Sequence, residues 1–164
     1  MPLELPHTAG CIVCGKDNPH GLQLSLHVDP ESSTVTTRYL SRQQHIGFVG
    51  IIHGGVLATI LDEAMVWAAT WAGKRFCVCG ELQVRYRQAA PVGKNLLVEA
   101  KVQAVRSRLI ETTGTVTAED GTVYTTATGK YVPVAARSNA QFVNTLIADP
   151  ATSDTLHALR AASR

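Results

Sequence analysis

The sequence predicts an α+β protein, one long helix packed on a mostly antiparallel sheet, and three observations carry that expectation. Apolar residues between Gly54 and Trp71 recur at helical spacing: Val56, Leu57, Ile60, Leu61, Ala64, Met65 and Ala68 follow the i, i+3, i+4, i+7 pattern. On both sides of that stretch lie short segments of alternating character, separated by turn residues. The composition, 45% hydrophobic and 17% charged over 164 residues, supplies a core for one domain with room for an appendage.

In chain order, residues 1–21 read as an irregular lead-in, punctuated by Pro2, Pro6, Gly10, Gly15, Pro19 and Gly21. Strands are expected over 22–29 and 33–40, joined by a turn at Asp29-Pro30-Glu31. A loop carrying Gly47 and Gly50 then leads to His53 and the helix, which Gly73 followed by Lys74 should end. Four further strands, 76–88, 95–106, 108–119 and 122–132, are expected as a meander. Their breaks fall at Pro91-Val92-Gly93, near Arg106-Ser107, and at Glu119-Asp120-Gly121. The last part, 133–164, is Ala-rich and split at Pro150, which suggests two short helices or a frayed tail. The division is thus a cap (1–21), a domain of about six strands and one helix (22–132), and a helical appendage (133–164). Ala58, Val66, Trp67 and Ala69 fill much of the helix's remaining surface, and a helix apolar nearly all round is a buried one. A single sheet covers only one side of it, so a homo-oligomer, dimer or tetramer, is expected.

Several classes are excluded. Net charge is +2 with the basic residues scattered, unlike the concentrated basic face of a nucleic-acid binder. The apolar run from Val49 to Ala72 is long enough to span a bilayer, yet it holds Asp62 and Glu63, and each acid at mid-membrane costs about 2.5–3.5 kcal/mol. The first residues, MPLELPHTAG, have no basic n-region or apolar h-region, and four cysteines without such a signal suggest free thiols in a reducing cytoplasm.

Asp62 and Glu63 are the only formal charges between Arg42 and Lys74. Asp62 stands nine residues after His53 in the run His53-Gly54-Gly55. The first N–H groups of a helix are unpaired and lie at the positive end of its dipole. Glycines there let a carbonyl approach closely, and such donors stabilise a developing oxyanion by about 10²–10³ in rate each. A carboxylate in an apolar pocket can serve as general base or as nucleophile, and sequence does not choose between these.

His53-Gly54-Gly55 with Asp62 at that offset resembles the hotdog-fold acyl-CoA thioesterases of the PaaI-like group, within the 4-hydroxybenzoyl-CoA thioesterase superfamily. So do Glu81-Leu82-Gln83-Val84-Arg85-Tyr86 leading to Pro91-Val92-Gly93, and the lead-in Cys11-Ile-Val-Cys14-Gly15 with Asn18-Pro19-His20-Gly21-Leu22. The resemblance covers roughly residues 11–132. It implies a hotdog fold and an acyl-CoA or related acyl thioester as substrate, with no cofactor beyond the coenzyme A of the substrate. It also implies a site shared across a dimer seam, with the acid of one subunit facing the His-Gly-Gly turn of the other. The catalytic set it implies is Asp62 as base or nucleophile, Gly54 N–H as oxyanion donor, and His53 orienting the turn or touching the thioester. Glu63, rotated about 100° from Asp62, is second choice for the acid, because a related hotdog group uses Glu in this role. Gly55, His45, Glu63, Cys79, Arg85 and Arg87 complete the expected substrate contacts, with Arg106 and Arg108 as further phosphate candidates. A non-catalytic acyl-CoA binding or sensing module is the alternative, and a hydratase the third.

The sequence departs from that pattern in three places. Relatives carry an Asn or Gln in the loop before the His-Gly-Gly, where Gly47 and Val49 offer none, leaving His45 or Gln44 as stand-ins. Cys79 occupies a position where some relatives have Thr, and a thiol is the weaker hydrogen-bond partner. Cys11-x-x-Cys14 has the spacing of one zinc knuckle, with His7 or His20 as a third ligand. Cys77 and Cys79, one residue apart, do not make a second knuckle, so no metal is expected.

Overall fold

In a computed structural model, which describes residues 1–147 and 149–163, the helix runs Gly54–Gly73 (α1) and buries Leu57, Ile60, Leu61, Ala64, Met65, Trp67, Ala68 and Ala69. It ends at the expected Gly73-Lys74, where Lys74 takes a left-handed backbone conformation, φ 54°. No helix among the described residues is long and apolar enough to cross a membrane.

The strands are β1 (Leu3–Glu4), β2 (His27–Val28), β3 (Val35–Leu40), β4 (Cys77–Tyr86), β5 (Asn95–Arg106), β6 (Leu109–Ala118) and β7 (Val123–Pro133). They form one antiparallel sheet of seven strands in the order β1-β2-β3-β5-β6-β7-β4. The seventh, β1, comes from the lead-in, which sequence patterning treats as irregular. The expected strand 22–29 shrinks to two paired residues, because Leu22 and Leu24 instead donate to the lead-in carbonyls of Ile12 and Val13.

A meander describes β5, β6 and β7 but not β4. That strand pairs with β7 at the far edge of the sheet, opposite β3. The connection explains the placement. α1 has 20 residues, about 30 Å of rise, and carries the chain across the sheet before β4 begins. The next hairpin therefore has to start again beside β3.

One sheet face is core. Val35, Thr37 and Tyr39 of β3, Leu96, Val98 and Ala100 of β5, Ile110, Thr112 and Val116 of β6, and Thr125, Ala127 and Tyr131 of β7 are buried on it, in strict alternation. The alternate residues, Thr113, Thr115, Thr126, Thr128 and Lys130 among them, form the other face. Two more helices follow, α2 (Ala136–Asn144) and α3 (Ser153–Ala162). They are docked on the lead-in: Thr155 donates to the Glu4 carbonyl at 2.7 Å, and Ile147 N–H to the His7 carbonyl at 2.8 Å. Leu156 and Leu159 of α3 and Leu5, Val13 and Cys14 of the lead-in all join the buried core.

Candidate active site

The first turn of α1 is built by its own loop. His53 is the N-cap, in extended conformation, and its Nδ1 accepts the Gly55 N–H at 2.9 Å. The His53 carbonyl accepts from Val56, while its own N–H donates to the His45 carbonyl at 2.9 Å. His45 is anchored in turn: its Nδ1 bonds the Tyr39 hydroxyl at 2.7 Å, and the two rings stack. Burial holds the His45 imidazole below its usual range and pushes Tyr39 up to about 12.

With Gly55 and Val56 engaged, the Gly54 N–H is the donor of this turn that has no partner among the described residues. The Gly54 carbonyl accepts from the Tyr86 hydroxyl at 2.8 Å, and a Cβ on Gly54 would meet the Tyr86 ring at 3.1 Å, a contact tight enough to push the ring aside. Beside the turn runs a groove of about 390 Å³, lined by Phe48, Ile51, Leu57, Tyr86 and Arg87 among others. Phe48 and Val49, on the adjoining loop, are 82% and 96% exposed. Two apolar side chains in water next to an open helix terminus mark an interaction surface.

Asp62 faces the sheet. The Tyr131 hydroxyl of β7 donates to its Oδ1 at 2.9 Å, and the Cys79 thiol of β4 lies against the same carboxylate. Burial first, and the Asp62 charge second, raise the Tyr131 phenol far above its usual range. Cys79 is pushed up to about 11, by burial and then by its bond to Asp62, so at neutral pH it is a thiol and a poor nucleophile. Asp62 lies eight residues beyond Gly54, roughly 12 Å of helix rise. Within one chain the carboxylate and the open N–H do not meet.

Glu63 points elsewhere. Its Oε1 accepts the Trp67 indole N–H at 3.0 Å and lies 3.7 Å from Cys11 Sγ of the lead-in. Burial and the Cys11 charge raise its carboxyl to about 7. It borders a separate cavity of about 240 Å³, lined by Cys11, Cys14, Trp67, Phe76, Phe142 and Leu146 among others. The structure thus separates Glu63 from the groove at Gly54, and the lead-in covers it.

The two arginines divide between surfaces. Residues of β4 oppose those of β7 so that Gln83 and Arg85 share the outer face with Thr126 and Thr128, away from α1. Arg87 borders both that outer hollow and the groove beside Gly54. Arg106 is engaged with Glu111 at 2.7 Å. Three tyrosines, Tyr39, Tyr86 and Tyr131, hold the site together and are absent from the sequence-derived set. For Tyr131 a signal existed: with Ala127 and Gly129 it occupies the inward positions of β7, a large polar ring among small residues under the helix.

Residues 49–125 match the family model described as the thioesterase superfamily. Among solved structures, RHA08564, a thioesterase superfamily protein, superposes with a TM-score of 0.70 at 27% identity. The match covers 75% of this chain and 60% of that one, so the chain spans only part of that relative's length. The E. coli PaaI protein of the phenylacetic acid degradation operon gives 0.63 at 15% identity, over 70% of this chain and 81% of its own. A Streptococcus mutans protein bound to acetyl CoA gives 0.63 at 18%, over 68% and 88%. A comparison with curated proteins gives no match. The chain has the hotdog fold. Residues 49–125, just under half of the chain, match the thioesterase superfamily, and the likeness to the PaaI protein is one of fold.

Proposed function

We propose that the protein hydrolyses an acyl-CoA, or a related acyl thioester, at sites completed by a second copy of the chain. The observation that carries this reading is the open first turn of α1, where the Gly54 N–H has no partner among the described residues and Gly54 lines the groove beside Tyr86. The thioester carbonyl would accept from that N–H, and the acyl chain would lie along Phe48, Ile51 and Leu57. Attack by water or carboxylate puts negative charge on the carbonyl oxygen, where a preorganised donor at a helix N-terminus acts most strongly. The coenzyme A of the S. mutans relative's complex supports the choice of thioester.

The acid would come from the partner. β4 is the last strand of the sheet, so its outer edge is free over Cys77–Tyr86. Cys79, near the start of β4, touches Asp62, and Tyr86, at its end, touches Gly54. Antiparallel pairing of two β4 strands lays the Cys79 end of one against the Tyr86 end of the other. That arrangement brings Asp62 of one subunit toward Gly54 of its partner, closing the 12 Å gap within each chain. Asp62 then acts as general base or as nucleophile, oriented by Tyr131, and Arg87 is placed to meet a phosphate at the groove mouth. The four free thiols suit a reducing compartment such as the cytoplasm.

Free-thiol release from aromatic, short-chain and long-chain acyl-CoAs tests the reaction; tight ester binding without release would mean a sensor. Subunit complementation tests the shared site. Asp62→Asn and Gly54→Pro remove the acid and the N–H; proline is acceptable to a helix at its first position, and the exposed Tyr86 ring, 3.1 Å from a Cβ there, has to give by a few tenths of an ångström. Each variant alone should be inactive. Co-assembled, they should regain roughly a quarter of wild-type activity, since half the dimers are mixed and each has one intact site. No recovery in a mixed dimer of demonstrated composition would sink the shared-site reading.

A further inference from the structure

We infer that Cys11, Cys14 and Glu63 form a binding site for a thiophilic divalent cation of the zinc class, on the side of α1 away from Asp62. The Sγ atoms of Cys11 and Cys14 and a carboxylate oxygen of Glu63 all lie within 4.8 Å of one another. A tetrahedral ion with Zn–S near 2.3 Å and Zn–O near 2.1 Å places a sulfur and an oxygen about 3.6 Å apart. The Cys11 Sγ to Glu63 Oε1 distance is 3.7 Å.

The turn around Cys11 is shaped to hold a thiolate. The N–H groups of Val13 and Cys14 both point at Cys11 Sγ, at 3.4 and 3.5 Å. Gly15 closes the turn by donating to the Cys11 carbonyl at 3.0 Å. A Cβ on Gly15 would fall 2.6 Å from Cys11 N and 2.6 Å from the Ala9 carbonyl oxygen, so the turn excludes any other residue there. Donated N–H···S bonds and a following glycine give a Cys-x-x-Cys loop the form of a metal knuckle, in which two sulfurs project to one point.

Glu63 supplies the need for a cation. Its carboxylate is largely enclosed, and no Lys, Arg or His forms an ion pair with it among the described residues. An enclosed carboxylate without a counter-charge is costly, and an ion shared with two sulfurs offsets that cost. The histidines suggested by sequence are not part of the cluster. His7 is buried but is not among the groups whose ligand atoms converge here, and Glu63 takes the third place. The fourth coordination position faces the cavity of about 240 Å³ between Trp67, Phe76 and Phe142, which has room for a water. Bound there, the ion would pin the lead-in to α1 one residue from Asp62.

The test uses the full chain, reduced and stripped of metal, titrated anaerobically with Co(II). One equivalent per chain should bind, giving thiolate-to-cobalt charge-transfer absorption and the visible bands of a four-coordinate ion, both removed by Zn(II). Cys11→Ser and Cys14→Ser should each diminish the charge-transfer band, and Glu63→Gln should weaken binding by roughly tenfold or more. Asp62→Asn should bind as the wild type does. Absence of the charge-transfer band in reduced wild-type protein overturns the inference whatever the variants do. A Glu63→Gln titration that overlays the wild type removes Glu63 from the site and overturns the three-ligand assignment. Purification with a Cys11–Cys14 disulfide that persists under mild reductant would show a redox pair instead.

Discussion

Two acids adjacent in sequence occupy two different chemistries because α1 turns about 100° between them. Asp62 looks onto the edge of the sheet, where Tyr131 donates to it and the Cys79 thiol lies against it. Glu63 looks onto the chain's own termini, where Trp67 donates to it and Cys11 approaches it. Each acid thus has an aromatic donor and a cysteine. What differs is the wall beyond. On the Asp62 side lies β4, a strand with a free edge that a second subunit can extend. On the Glu63 side lie the lead-in and α2, which close over it within the same chain. Two carboxylates of the same helix are therefore offered, on the proposed readings, to a second subunit on the open side and to the lead-in on the closed one.

The largest expected effect separates the two sides by activity. Asp62→Asn should lower thioester hydrolysis by about 10²–10⁴, the range for losing a positioned general base. Glu63→Gln should lower it by less than about tenfold, since its carboxylate faces the other cavity. Steady-state kinetics on the best substrate of the panel would check this, and the reverse ranking would exchange the roles of the two acids.

Next in size is a change confined to the closed side. Leu159 of α3 is 4% exposed and packs with the core that holds the lead-in. Leu159→Ala should destabilise the fold by about 2–5 kcal/mol in denaturant titration, with kcat/KM per folded protein little altered. A large loss of kcat/KM at full folding would show that the two sides communicate.

How much of this was readable beforehand follows the range of the interactions. α1 and the β5–β7 ladder rest on local periodicity, which sequence displays directly: Leu96, Val98 and Ala100 alternate inward just as their spacing says. The Gly54 turn was readable because its chemistry is local to His53-Gly54-Gly55. The placement of β4 beside β7 was not, because a strand's neighbour is chosen by the long path of α1, not by the strand's own residues. The face of Arg85 was in fact written in the alternation Leu82, Val84, Tyr86 against Gln83, Arg85, Arg87, and period-two reading puts it outside. The surroundings of Glu63 were hidden for the opposite reason. Residues 1–21 have no periodicity, so nothing in them announces that Cys11 folds back onto a residue 52 positions away.

A smaller effect probes the donor on the open side. Tyr131→Phe keeps the ring in its buried seat and removes only the hydroxyl that Asp62 accepts from. A hydrogen bond to a charged group contributes about 1.5–3 kcal/mol, so a stability loss of that order is expected. As a positioning residue, Tyr131 should act mainly on kcat, with KM near wild type. A rise in KM at constant kcat would place the hydroxyl in substrate binding instead.

The smallest effect concerns the two cysteines' different standing, tested on the open side. Cys79 sits against the Asp62 carboxylate, and its thiol is pushed up to about 11. A raised value means less thiolate at any lower pH, and the thiolate is the reactive form. Alkylation of Cys79, followed by peptide mass analysis, should therefore be slow at pH 7. It should quicken about tenfold per pH unit and level off only as pH approaches 11. Cys79→Ser replaces a weak donor by a stronger one of similar shape, and hydrolysis should stay within about threefold of wild type. Fast labelling at neutral pH, together with loss of activity in Cys79→Ser, would instead make the thiol the nucleophile. Asp62 would then be its base, and the open side of α1 would work by a different chemistry.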